Sequence, residues 1–346
     1  MNRDVGELEK QMSDINLDSR GHPWAERCMQ EAVEQGASFD LDGLKDLLRR
    51  HLDIPASHRI ILTTSHEEAL STAISGVASN CDSALWDIGA PAAMRAAVKA
   101  LQRRDISCSG FSRTEKSTAD LVALQWWNEE TLHEHPKLVC AAKRMVIDTG
   151  AALCLGHRPD WSRPDTIWTI PGWSLCGPVA SGWIILPSEL GFTPSIHGTG
   201  QDPVRGGPVD PLLVWRVAGG LLHWIQAADT YDRRTTTVQK FTERLETIGA
   251  QRLSEGDGPG VVLHWPGIAA IGIARTCEAR GLHIAAADAC LAAKTGGSVG
   301  WTDLGQVEAA HGAVLITIDT DLTSETIDQA ASTLKAAVDK LRQLRS

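Results

Sequence analysis

Apolar positions along the chain switch repeatedly between two spacings. Short apolar runs suited to buried strands occur at Arg59-Ile-Ile-Leu-Thr63, Asp82 to Ile88, Leu121 to Trp126 and Val139 to Ile147, with two more around Ile167 and Ile184-Ile185. Between them Ser38 to Leu52, Glu67 to Val77 and Ala92 to Arg103 carry apolar residues at helical spacing. Strands of this length alternating with helices predict a mostly parallel, doubly wound α/β sheet. Leu212 to Gln239 reads as one long helix. Beyond it the pattern changes. Val261-Val-Leu-His-Trp265 and Val314-Leu-Ile-Thr-Ile318 read as strands, and Ser324 to Leu344 as an amphipathic terminal helix. The expected organisation is a large domain over residues 16–228 and a smaller α+β domain built from 1–15 and 229–346.

With 346 residues the chain can bury a sizeable core. Its net charge of -10 argues against nucleic acid or an anionic membrane as partner. It has no run of 18 apolar residues and no signal-type apolar region near the start, so a cytoplasmic location is expected. The 8 cysteines show neither Cys-x-x-Cys nor a zinc-type Cys/His spacing, so no metal site is expected and most should be buried thiols. Twelve tryptophans stand against one tyrosine and four phenylalanines, and several fall where chemistry would be sought.

Met145-Val-Ile-Asp148-Thr-Gly-Ala151 is followed by Asp165-Thr-Ile-Trp-Thr-Ile-Pro-Gly-Trp-Ser174-Leu-Cys-Gly-Pro178. Further stretches fall in a consistent order: Leu17-Asp18-Ser19 with Pro23, Ile60-Ile-Leu-Thr-Thr-Ser-His-Glu-Glu68, Asn128-Glu-Glu-Thr131, His197-Gly-Thr-Gly-Gln-Asp202, Arg205-Gly-Gly207 and Ala289-Cys290. Together they resemble the cysteine desulfurases of the class V aminotransferase group. The resemblance implies the type I fold of pyridoxal-phosphate (PLP) enzymes, a dimer, and an aspartate, here Asp148, that pairs with the pyridine nitrogen. It also implies a Schiff-base lysine where this chain has Ser174. A hydroxyl cannot form an imine, and Lys294, four residues after Cys290, reads as a solvated surface lysine on a loop rather than a replacement.

The other departures cluster at the same site. In the turn that should cradle phosphate, Ser65 stands for the glycine and Glu67 for the threonine, and a carboxylate there would repel the phosphate. The segment Trp86-Asp-Ile-Gly-Ala-Pro91 contains no ring-stacking histidine. Trp126 and Trp173 replace histidines, Glu129 an asparagine, Pro208 a threonine, and Asp321 the arginine that would clamp the substrate carboxylate. The expectation is therefore a degenerate desulfurase, a scaffold or partner in sulfur transfer that takes no PLP. It would be a homodimer, or a heterodimer with a desulfurase-like chain.

Cys290 could relay sulfur to an acceptor or an iron–sulfur scaffold protein, serve as an iron–sulfur ligand, or be merely inherited, with Asp288 raising its pKa. Asp148 could close its strand by accepting backbone amides or keep a contact to a ring. Trp126 and Trp173 could fill the space a cofactor left. Alternatively they could form, with Glu67, Glu129 and Asp321, a cage for a cationic amine, unless Arg20 or Arg205 neutralises those carboxylates. Two other classes remain open: an enzyme or binding protein for a different small ligand, and a residually active desulfurase.

Overall fold

The structure, a computed structural model, describes residues 15–16, 40–112, 118–135, 141–193, 200–201, 205–254, 258–286, 297–318 and 322–344. Arg20, Asp288, Cys290, Lys294 and Asp321 lie outside the described residues. By its internal contacts the chain divides into two compact units, one of residues 20–129 and 134–228, the other of 1–19, 130–133 and 229–346.

The short strand β1 (Ile15–Asn16) belongs to the second unit, where it pairs in parallel with a later strand, Leu282–His283. The first unit is built on seven strands: β2 (His58–Thr63), β3 (Ser83–Asp87), β4 (Ser107–Phe111), β5 (Thr118–Trp127), β6 (Ala141–Gly150), β7 (Thr166–Pro171) and β8 (Gly182–Pro187). Their order is β2-β8-β7-β6-β5-β3-β4, and β8 alone runs antiparallel to its neighbours. Every residue of β7 and β8 is buried, which is why these segments read as continuous apolar runs rather than alternating ones.

Helices cover both faces. On one, α1 (Leu41–His51) contributes Leu44 and Leu48 to a core with Met145, Ile147, Trp168 and Trp183. On the other, α2 (His66–Val77) and α3 (Ala92–Ala100) bring Leu70, Ile74, Met94 and Val98 against Val146 and Ile184. A two-stranded ladder, β9 (Gly200–Gln201) with β10 (Arg205–Gly206), is tied to β2 by the Gln201 amide, which bonds both backbone groups of Leu62.

The stretch expected as one helix from Leu212 to Gln239 is two: α4 (Pro211–Ala228) and α5 (Tyr231–Glu246). The break falls at Asp229-Thr230, residue types whose side chains compete for backbone hydrogen bonds and favour helix ends over interiors. α4 packs on the first unit, adding Val214, Val217 and Leu221 to the α1-side core.

The second unit holds a sheet of β11 (Gln251–Arg252), β12 (Gly260–His264), β14 (Ala285–Ala286) and β15 (Ala313–Thr317), with Leu282–His283 as β13. It is antiparallel throughout, in the order β11-β12-β15-β14. Helices α5, α6 (Ala270–Glu278) and α7 (Ser324–Gln343) close its core around Phe241, Leu263, Trp265, Ile316 and Leu334. Ile316 is fully buried there, so Ile316→Val is expected to cost about 0.5–1.5 kcal/mol in a urea-unfolding series. No helix among the described residues is long and apolar enough to cross a membrane.

Candidate functional site

The parallel strands β5, β6 and β7 end together, and the N-terminus of α2 lies beside their ends. Such a crevice at the carboxyl edge of an open α/β sheet is where ligands of this architecture bind. Asp148, fully buried near the end of β6, is the centre of the arrangement. In the parallel register it stands beside Gln125 of β5 and Thr169 of β7, so all three side chains leave the same face. Its Oδ2 accepts from Gln125 Nε2 at 2.9 Å; its Oδ1 accepts from Thr169 Oγ1 at 2.9 Å and lies 2.7 Å from His66 Nε2.

His66 reaches this point because Ser65 caps α2, accepting the Glu68 amide, and so places His66 in the first helical position. Gly182 at the start of β8 permits the close approach: a Cβ there would lie 2.9 Å from His66 Cα. The His66 side chain is 11% exposed. Burial alone would depress its pKa, but the charge and hydrogen bond of Asp148, reinforced by Glu129 and Glu67, outweigh burial and raise it. A group whose pKa rises on folding stabilises the fold fully below its unfolded value and loses that contribution as pH climbs through the folded value. The protein's thermal midpoint is therefore expected to fall as pH rises above about 6.5, and His66→Gln should flatten that slope in the same melting series.

In the turn before α2 the Glu68 carboxylate folds back on the chain. Glu68 Oε2 accepts from the Thr64 amide at 2.8 Å and from the Thr64 hydroxyl at 2.5 Å, while Oε1 pairs with Arg205 Nε at 2.5 Å. Burial works to raise the Glu68 pKa, but the bonds from Arg205 and Thr64 prevail and lower it. This pair should contribute stability above about pH 4.3 that is lost as pH falls. Arg205→Met is expected to reduce that acid-side dependence in a pH-resolved melt, with the Thr64 bonds keeping the remainder.

The expected site residues are only partly brought together. Ser174 is fully buried in the 3-10 turn Gly172–Leu175, and its hydroxyl donates to the Pro171 carbonyl at 2.7 Å. Trp173 is half-buried on the same turn. Glu129 follows β5, its amide donating to Gln125 Oε1 at 3.2 Å.

Three expectations need correction. Asp148 takes side-chain partners rather than backbone amides. The carboxylate held in the phosphate-side turn is that of Glu68, whereas Glu67 is exposed and Arg205 pairs with neither Glu67 nor Glu129. Trp126 does not share a pocket with Asp148. Adjacent strand residues point to opposite faces. Since Gln125 faces Asp148, Trp126 faces the other way, edge-on to Trp168 at 5.8 Å and donating to Glu134 at 3.0 Å. The sequence reading missed His66, Gln125, Thr169 and Glu68. The only local signal was the Ser-His-Glu-Glu run that opens α2. No group of three or more potential metal ligands occurs among the described residues.

By sequence the chain matches no family model and no curated protein. Solved structures match it over nearly their whole length. A NifS-like protein superposes with a TM-score of 0.73 at 13% identity, covering 95% of this chain and 100% of its own. An apo cysteine desulfurase from Thermococcus onnurineus NA1 gives 0.71 at 12% identity, covering 99% and 100%. The cysteine desulfurase CsdA from Escherichia coli gives 0.69 at 13%, again covering 99% and 100%. The fold is the type I fold of PLP-dependent transferases. Within that desulfurase-like fold, Asp148 and the α2 turn occupy the carboxyl edge of the sheet, and both are bonded to the protein's own side chains.

Proposed function

We propose that this chain is a cysteine-desulfurase-like protein that does not carry out PLP chemistry and acts as a scaffold or partner in sulfur transfer. The observation that carries the reading is the commitment of both Asp148 oxygens to His66, Gln125 and Thr169. Two others support it. The Ser174 hydroxyl is spent on its own turn, and in the turn before α2 the Glu68 carboxylate, paired with Arg205, takes the Thr64 amide. None of the described lysines bonds Asp148. On this reading the residues present do not fit PLP.

The partner would be a second copy of this chain or a desulfurase-like chain in the cytoplasm, with Cys290 offered as a sulfur relay to an acceptor or an iron–sulfur scaffold protein. Supplied with PLP and L-cysteine, the protein alone is expected to release no sulfide. Added to an active desulfurase, it should change the rate of sulfur delivery, and Cys290→Ser should remove that change. Sulfide release by the chain alone overturns the proposal. A second reading, a pocket for a small cation, draws on Glu67 and Glu129 beside His66. It loses one of its two indoles because Trp126 faces the opposite side of the sheet.

A further inference from the structure

The geometry points to His66 as a resident counter-ion of the Asp148 site, one whose ring can be exchanged for a free planar nitrogen cation of the imidazolium class. The inference rests on the proposed reading that Asp148 is not committed to a cofactor. It starts from what surrounds the carboxylate. Gln125 and Thr169 satisfy part of Asp148 with neutral donors from the same sheet, which cannot offset its charge. An isolated buried carboxylate is costly, and such groups are paired or become protonated. His66, 2.7 Å away, is the one group bonded to Asp148 that can carry a positive charge. Its raised pKa agrees with that role.

The remaining neighbours reinforce the choice of a cation. Glu67 on α2 and Glu129 after β5 both bear negatively on His66, and Arg205 is held by Glu68 rather than by Asp148. On the β8 side the neighbour is the uncharged Gly182. The imidazole is joined to the site only through its own side chain. Its Nδ1 makes no hydrogen bond among the described residues and is not among the atoms sealed from solvent. Removing the ring would therefore leave a ring-sized space that opens outward, beside one buried uncompensated carboxylate and within the negative field of Glu67 and Glu129. A flat cation with an N–H donor matches that space in size, charge and hydrogen bonding. An anion of the same size fails on both charge and hydrogen bonding.

The test is chemical rescue of His66→Ala in the full chain, read as thermal midpoint with and without imidazolium chloride, against sodium chloride of equal ionic strength. The variant is expected to melt below the wild type and to recover at least half of that loss with imidazolium but not with sodium. The wild type should show no such difference between the two salts. An equal response to the two salts overturns the inference. Should His66→Ala be unfolded in buffer, the same titration reads whether imidazolium restores folding, by circular dichroism. A wild-type measurement stands beside it: long-range proton–nitrogen NMR should show an Nε2-bound proton on His66 that Asp148→Asn weakens, and a His66 ring indifferent to Asp148→Asn also overturns the inference. A lasting visible absorbance on adding PLP to the wild type would count against the proposed function while leaving the imidazolium result to stand by itself.

Discussion

Asp148→Ala is expected to lower the free energy of unfolding by about 3–5 kcal/mol, because removing one member of a buried charged network strands the others. His66, Gln125 and Thr169 all direct a polar atom at this carboxylate, and Gln125 and Thr169 are fully buried. Without it, each keeps its desolvation cost and loses its bond. Asp148→Asn should cost less, since an amide oxygen still accepts from Thr169 or Gln125 while the charge facing His66 is lost. Urea unfolding of the two variants checks both the size and the order. An alanine variant as stable as the wild type would mean that the network is not formed.

Gly150→Ala is expected to be at least as damaging, about 4 kcal/mol or more, the range of exceptional single substitutions. Gly150 ends β6 two residues after Asp148, with φ at +54°, a region side chains rarely adopt. A Cβ there would stand 2.0 Å from the Trp127 carbonyl oxygen. That oxygen cannot yield, because it accepts the Ala151 amide at 3.0 Å and its residue is paired with Gly150 in the β5–β6 ladder. The substitution should therefore shift the end of β6 and the Asp148 carboxylate with it. Loss of soluble protein, or a sharply lowered urea midpoint, is the expected readout; a wild-type midpoint would contradict it.

What could be read from the sequence follows from how local each signal is. The buried strands of the large sheet announced themselves because residues such as Ile60, Ile61, Ile184 and Ile185 are covered on both faces and form unbroken apolar runs. The edge strand β4, Ser107-Cys-Ser-Gly-Phe111, gave no such signal, since only Phe111 is buried. The break at Asp229-Thr230 was hidden because the helical spacing continues on both sides of it.

At the site, Asp148 and the Ser174 turn were legible from their flanking strands, but the bonds that decide their chemistry were not. His66 and Asp148 are 82 residues apart in sequence, and Arg205 and Glu68 are 137 apart. Only the fold brings those pairs together. Trp126 shows the complementary failure. Its place near the end of β5 was expected, but the face it takes is fixed by strand register, which shows itself only once Gln125 is seen to bond Asp148.

The same residues give the site its chemical character. Asp148, Glu67 and Glu129 make the carboxyl edge of the sheet acidic, and His66 answers that charge from within the chain. Glu68, paired with Arg205, sets a further carboxylate in the turn before α2, where negative charge opposes the approach of an anion. In a site arranged in this way the carboxylate that would face a pyridinium is already bonded to His66, Gln125 and Thr169.

The most direct test of that account is a spectral titration of the purified protein with PLP, followed by desalting and borohydride reduction. The expected result is a colourless protein whose mass and visible spectrum match the untreated sample. A yellow protein that keeps its absorbance through desalting, and carries a borohydride-fixed adduct on a lysine, would contradict it.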